Sequence, residues 1–375
     1  MKAIVNGKII DAKSVIEGST LYFDEKIRAV SPEEPGEECE VIDAEGAYVS
    51  AGFVDIHIHG SGGADVMDGS REALETISHT VLQTGTTSFV ATTMTMARPD
   101  IVRALESVRR YGADVGGAKI AGVHLEGPFL NPLRSGAQDR TLIQRPSLDW
   151  IEPWLDLIRV ITIAPEMEGA RELIETISRE YPHILLSIGH SDADYEQTME
   201  SFSRGISHAT HLFNAMPPCH HRAPGIVGAV LESTVTAEVI ADLIHLHPSI
   251  LHTVQSLKKD RIILITDAMR AGCMKNGRYE LGGQGVTVRE GRAELDDGVL
   301  AGSVLRLNEA VRNYTLHTEA TLAEAVWAAS SLPAERLGLP TGSLKVGYDA
   351  DIVIFDASVE MKSVYVDGIL RWNRS

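Results

Sequence analysis

Three things are scarce in this chain, and each scarcity excludes a class of protein. Cysteine is rare: Cys39, Cys219 and Cys273 lie far apart and form no CxxC. A disulfide framework is therefore not expected, and a reducing compartment fits. Long apolar runs are missing as well. No stretch approaches the ~20 apolar residues of a spanning helix, and the opening MKAIVNGKIIDAK lacks the apolar segment of a signal peptide. The expectation is a cytoplasmic protein without membrane contact. Basic residues are outnumbered, with Lys plus Arg at 34 against Asp plus Glu at 52, for a net charge of -18. Nucleic acid is excluded as a partner, because its phosphates need a basic face that displaces counterions. A small anion remains possible where cations gather locally.

The composition that is present, 44% hydrophobic and 23% charged over 375 residues, supports one large α/β domain or two ordinary ones. Both ends are rich in short strands. Ala3–Val5 and Lys8–Ile10 flank Asn6-Gly7, which reads as a hairpin turn; Ser19–Phe23, Lys26–Val30, Ala350–Phe355, Ser363–Val366 and Ile369–Trp372 continue the pattern. A small β-sandwich domain built from residues 1–50 plus 343–375 is expected.

Between these ends, short apolar runs alternate with amphipathic segments, as βαβ units do. The apolar runs are Ala51–His57, Ser88–Thr92, Ile120–Leu125, Val160–Ala164, Ile184–Ile188, Ile206–His211, Ala237–Leu243 and Arg261–Thr266. Helical patterns lie between them, among them Arg71–Gln83, Pro99–Tyr111, Gly169–Tyr181 and Ala193–Arg204. Such a series predicts a (β/α)8 TIM-like barrel over 51–342, with chemistry at the C-terminal ends of the strands. A doubly wound sheet is the competitor, and it is disfavoured by the lack of a glycine-rich phosphate fingerprint after the first strand.

The polar residues fall where such a barrel needs them. Strand one ends His57-Ile58-His59, and two imidazoles at i, i+2 share a face and can chelate a divalent metal. Strand three ends His124-Leu125-Glu126, strand five runs into His190, strand six into His208-Ala209-Thr210-His211, and strand eight into Asp267. His, Glu and Asp thus arrive at one rim from several strands, which points to a metal site. His124 lies a layer deeper and suits a structural hydrogen bond. His208 is off the parity of His211. His79, His183, His252 and His317 fit solvated or capping positions.

The motifs HIHG, HLEGPF, GHSDA, HATHLFNAM and TDAM, with the closing GSLKVGYDAD, resemble the amidohydrolase superfamily across essentially the whole chain. More narrowly, HLEGPF with HATHLFNAM resembles the N-acetylglucosamine-6-phosphate deacetylase family. Strand four, Arg159-Val160-Ile161-Thr162-Ile163-Ala164-Pro165-Glu166, holds no lysine to carbamylate. That speaks against dihydroorotase-like and hydantoinase-like relatives, and the resemblance puts Glu126 in the bridging place. It implies one metal on Glu126, His190 and His211 and a second on His57, His59 and Glu126. Zinc or iron suits such ligands.

The resemblance also implies a reaction. A bound metal acidifies water and polarises the acetyl carbonyl, while Asp267 takes a proton and returns it to the sugar amine. His124 is a reserve candidate for oxyanion stabilisation. Expected substrate contacts are Ala137, Gln138, Asn214, Ala215, Arg222, His245, Leu300, Ala301 and Gly302. Arg222 would grip the phosphate across a homodimer interface, with His220 and His221 beside it. Gln138 stands where the family often has histidine, and it cannot carry charge. The expected activity is removal of the N-acetyl group from N-acetyl-D-glucosamine 6-phosphate. The alternatives are a deacetylase of N-acetylgalactosamine 6-phosphate or another N-acyl amine, and a metal-free, non-enzymatic scaffold on the same fold.

Overall fold

A computed structural model describes residues 1–374. Eight parallel strands run in sequence order: Phe53–Ile58, Thr86–Thr92, Lys119–Glu126, Ile158–Ile163, Leu185–Ile188, His208–Ala209, Thr236–Ile240 and Ile262–Ile265. A parallel bridge between Ile58 and Ala268 joins the last strand's end to the first, closing the barrel. The expected (β/α)8 barrel is borne out. Barrel strands one, two and four to eight are almost wholly buried, as parallel strands covered on both faces are.

The outer helices follow from local signals. Ser70 caps Arg71–Leu82 through its side chain, and Leu74, Ile77 and Val81 recur on the face that meets the barrel. Tyr195–Arg204 starts at a capping box between Asp194 and Gln197 and stops at Gly205.

Strands from both termini make two further sheets. One has the order Ile369–Asn373, Met361–Val366, Ile352–Phe355, Tyr48–Ala51, Lys8–Asp11, Ser14–Ile16. Its central pair joins the chain's two ends, with Ile352 opposite Ala51. The other has the order Ile27–Ser31, Thr20–Phe23, Lys2–Val5, Glu40–Asp43. Ile4, Leu21, Phe23, Ile9, Val49 and Ile352 form a core between the sheets, separate from the barrel's. The sandwich expected from the β-rich ends is present.

The Asn6-Gly7 hairpin is not. Lys2–Val5 pairs with Thr20–Phe23 and Glu40–Asp43, whereas Lys8–Asp11 pairs with Ser14–Ile16 and Tyr48–Ala51. Both strands are apolar enough to be central in a sheet, so each found other neighbours. The turn, with Asn6 in the left-handed region, is the corner between the sheets. A Cβ on Gly7 would come within 2.6 Å of Val49, so the close approach excludes larger residues. Also unanticipated is a three-stranded antiparallel sheet, Gly277–Leu281, Gln284–Arg289 and Arg292–Leu295, inserted after strand eight. It reaches over the barrel mouth, where the Gln284 side chain donates to the Ala137 carbonyl at 2.5 Å.

Candidate metal centre and active site

The strand ends converge on one buried carboxylate. Glu126 Oε1 lies 3.1 Å from His190 Nε2 and 3.0 Å from His211 Nε2, while Oε2 lies 3.2 Å from His59 Nε2. Asp267 Oδ1 sits 3.4 Å from His57 Nε2 and 3.3 Å from His59 Nε2. The alternation of strand one explains the pair: His57 and His59 share a face, with ring centroids 5.3 Å apart. His190, His211 and Asp267 fall just past their strands with φ of 48°, 25° and 49°. Three non-glycine residues in the left-handed region turn their side chains into the mouth at a conformational cost that the surrounding structure sustains. Asp267 is fixed further by its own backbone, its N–H donating to the His57 carbonyl at 2.9 Å and its carbonyl accepting from Ser303 at 2.7 Å.

The charges here are strongly shifted. Burial alone would protonate Glu126 and Asp267, but the facing histidines, His57 first, hold both below their usual carboxylate values. Burial likewise opposes a charge on His59, yet Asp267 and Glu126 raise its pKa to about 9. His57 is raised well above its ordinary value by Glu238, Glu126 and Asp267 against the same burial. A field that holds protons on buried imidazoles is one that holds a cation.

The residues fit a metal on two counts. His57 Nε2 is buried and makes no hydrogen bond, although Glu126 Oε1 is 3.5 Å away. Two donor groups, His57 with His59 and Glu126, and Glu126 with His190 and His211, each keep their ligand atoms within 4.8 Å of one another. Imidazole nitrogen with carboxylate oxygen suits a borderline divalent ion.

Above this floor is a cavity of about 230 Å³. Of the expected substrate contacts, Ala137, Gln138, Asn214, Ala215, His245, Leu300 and Gly302 line it. Ala301 is buried behind the wall. Arg222 is exposed on the loop after strand six, outside the cavity, with Nη1 2.7 Å from His221 Nε2. Gln138 is already engaged: its Oε1 accepts from the Thr95 amide at 2.6 Å, so its Nε2 must face Glu126 Oε2, at 2.8 Å. His245 is held by Asp242, whose Oδ2 meets Nδ1 at 2.6 Å.

His124 lies under the floor with both nitrogens occupied, Nδ1 by the Ile56 carbonyl at 3.1 Å and Nε2 by Thr162 Oγ1 at 2.7 Å. Burial pushes its pKa down to about 3, so it is neutral. Sequence reasoning missed Glu238, Asp242 and Asp55. Their one available signal was a carboxylate within or at the end of an apolar strand. Asp55 ties strand one to strand eight by accepting from the Thr266 hydroxyl at 2.5 Å.

Residues 48–370 match the amidohydrolase family. The chain belongs to that family. A similar protein is the N-acetylglucosamine-6-phosphate deacetylase of Lysinibacillus sphaericus, 40% identical over 98% of this chain and 97% of that one. Among solved structures, the N-acetylglucosamine-6-phosphate deacetylase of Pasteurella multocida superposes with a TM-score of 0.94 at 30% identity, over 99% of this chain and 100% of that one. A mutant of the Mycobacterium smegmatis enzyme, in complex with N-acetyl-D-glucosamine-6-phosphate, superposes with a TM-score of 0.92 at 30% identity, over 99% of each chain. The narrower resemblance carried by HLEGPF and HATHLFNAM is borne out. Among the described residues no helix is long and apolar enough to cross a membrane.

Proposed function

We propose that this chain hydrolyses the N-acetyl group of N-acetyl-D-glucosamine 6-phosphate, releasing acetate and D-glucosamine 6-phosphate. The observation that carries the reading is the meeting of Asp267 with the Glu126–histidine cluster at the floor of a cavity walled by Asn214, Ala215 and His245. The similarity to enzymes of that name, and the sugar phosphate bound in one of them, support the substrate.

Asp267 is the proton carrier. His57 and His59 hold it as a carboxylate against burial, so it can accept a proton at neutral pH. As water oxygen bonds to the acetyl carbon, one water proton passes to Asp267. As the C–N bond breaks, that proton passes to the departing sugar nitrogen and restores the carboxylate. Glu126, His190 and His211 would hold one divalent ion, and His57, His59 and Glu126 a second, of zinc or iron. When bound, such ions supply Lewis-acid polarisation of the carbonyl and acidification of water. His245, Asn214 and Ala215, which line the cavity, would orient the sugar phosphate.

Arg222 enters the proposal from a second copy. It lines no part of its own subunit's cavity, so on this reading it reaches the phosphate from the partner subunit of a homodimer in the cytoplasm. The same reading divides the chain into a catalytic barrel, 51–342, and a small sandwich, 1–50 plus 343–375. Acetate release tests the proposal on N-acetylglucosamine and N-acetylgalactosamine, each with and without the 6-phosphate. Turnover should be fastest on N-acetylglucosamine 6-phosphate. Equal turnover without the phosphate, or none on any of the four, overturns it.

A further inference from the structure

Glu238 lies inside strand seven, wholly buried, and reaches the metal centre from behind. Its Oε2 accepts from His57 Nδ1 at 2.9 Å and from the His211 backbone amide at 3.0 Å, and its Oε1 meets His208 Nε2 at 3.3 Å. A carboxylate can only accept, so His57 must carry its hydrogen on Nδ1. Nε2 is thereby left as the ring nitrogen that faces Glu126 and Asp267 and can release its proton to ligate. The same logic puts a hydrogen on His208 Nε2, with the Thr236 hydroxyl 2.7 Å from its Nδ1.

One oxygen therefore touches members of both donor groups, the ring of His57 in one and the backbone of His211 in the other. We propose that Glu238 is a positioning residue for the metal centre: it selects the His57 tautomer that can ligate and ties the strand-one ligand to the strand-six ligand. A carboxylate behind a ligating imidazole also raises its basicity, and losing such a partner typically costs about 10–100-fold in metal affinity. The inference rests on the reading of this cluster as a metal site, but not on the identity of the substrate.

Glu238→Gln is the discriminating variant. Its amide oxygen can still accept from His57 and His211, and His208 can change tautomer to face the new NH2 group. The strand-seven backbone keeps its bond from Leu212 N–H to the Glu238 carbonyl at 3.0 Å. Zinc affinity is measured by chelator competition on the full chain, for wild type, Glu238→Gln and Glu238→Ala, with melting followed by circular dichroism. Glu238→Ala, which removes the acceptor behind His57, should bind zinc about 10–100-fold more weakly, and Glu238→Gln, which keeps the acceptor without its charge, should lie between it and wild type at an unchanged melting temperature of the metal-free chain. Because Glu238 does not line the cavity, KM should hold while kcat falls at limiting zinc and returns in excess zinc. Wild-type zinc affinity in both folded variants overturns the proposal, as does a Glu238→Gln chain that fails to fold, since the role would then be structural. A wild-type chain without zinc affinity overturns it together with the metal site. Normal zinc behaviour without acetate release would sink the proposed activity and leave Glu238 in place.

Discussion

At the mouth of the barrel, Glu126 and Asp267 are packed among His57, His59, His190 and His211, and His57 Nε2, His59 Nδ1 and His211 Nδ1 are buried without a hydrogen-bond partner. At the opposite end of the same strand three, Lys119 donates to Asp349 at 2.7 Å, to Asp351 at 2.7 Å and to Asp367 at 3.0 Å. Asp351 is wholly buried, accepts from Thr341 and receives the Asp367 amide. Both ends cluster charge around a buried carboxylate, Glu126 at the mouth and Asp351 at the other end. At the N-terminal end the charges are closed against one another, and they staple the sandwich to the barrel. At the mouth the pairing is left incomplete, as it must be where a cation and a substrate are to complete it. Satisfied charge fixes a structure, whereas unsatisfied charge held in place marks a site.

The mouth should be most sensitive at Asp267. Asp267→Asn keeps the shape and removes the proton carrier, so kcat for acetate release should fall about 10²–10⁴-fold with the fold intact. Turnover above a tenth of wild type would show that the open charges at the mouth do not carry the proton. The N-terminal end should respond in the opposite way. Lys119→Met strands Asp351 in the interior and should cost roughly 3 kcal/mol in urea unfolding, with kcat unchanged in the folded fraction. A variant as stable as wild type would show that the staple contributes nothing. A variant of lower kcat would show that the two ends are not independent.

The smallest expected effect lies at His245 in the cavity wall. Burial alone lowers the His245 pKa, but Asp242 outweighs it, and the imidazole sits above its ordinary value, with Asp267 adding to the rise and Arg292 opposing it. The charged form, which favours a phosphate, therefore persists to higher pH than in a free histidine. In wild type KM should stay low up to the raised pKa and climb as pH passes through it. In Asp242→Asn the climb should begin at lower pH, giving a KM about five- to tenfold higher at pH 8, close to the worth of one ordinary hydrogen bond of about 1 kcal/mol. Superimposable KM–pH curves would show that the charge on His245 has no part in substrate binding.

Much of this is legible in the amino-acid sequence. Eight apolar runs marked the barrel strands, because a parallel strand covered on both faces has little choice but to be apolar. The strand-end histidines and acids stood out against that background. What was not legible depends on which partner a group meets. Asn6-Gly7 has the chemistry of a tight hairpin, but Val49 and the strands beyond it outcompeted the local pairing. Glu238 looks like an ordinary acid until strand seven brings it against His57, whereas Asp242 meets His245 only three residues further along the loop that follows that strand. Gln138 reads as a free hydrogen-bonding group, yet Thr95 from the loop after strand two fixes which way its amide faces.

Sequence by itself determined the residue types at the rim and the periodicity that delivers them there, since both are properties of short segments and of side-chain chemistry. Only the tertiary structure decided how the charges are divided. Whether a buried carboxylate is paired, as Asp351 is, or faces an unpartnered imidazole nitrogen, as Glu126 does, depends on strands far apart in the chain. In a water-poor interior those distances, a few tenths of an ångström at a time, set which groups hold a proton and which hold a metal.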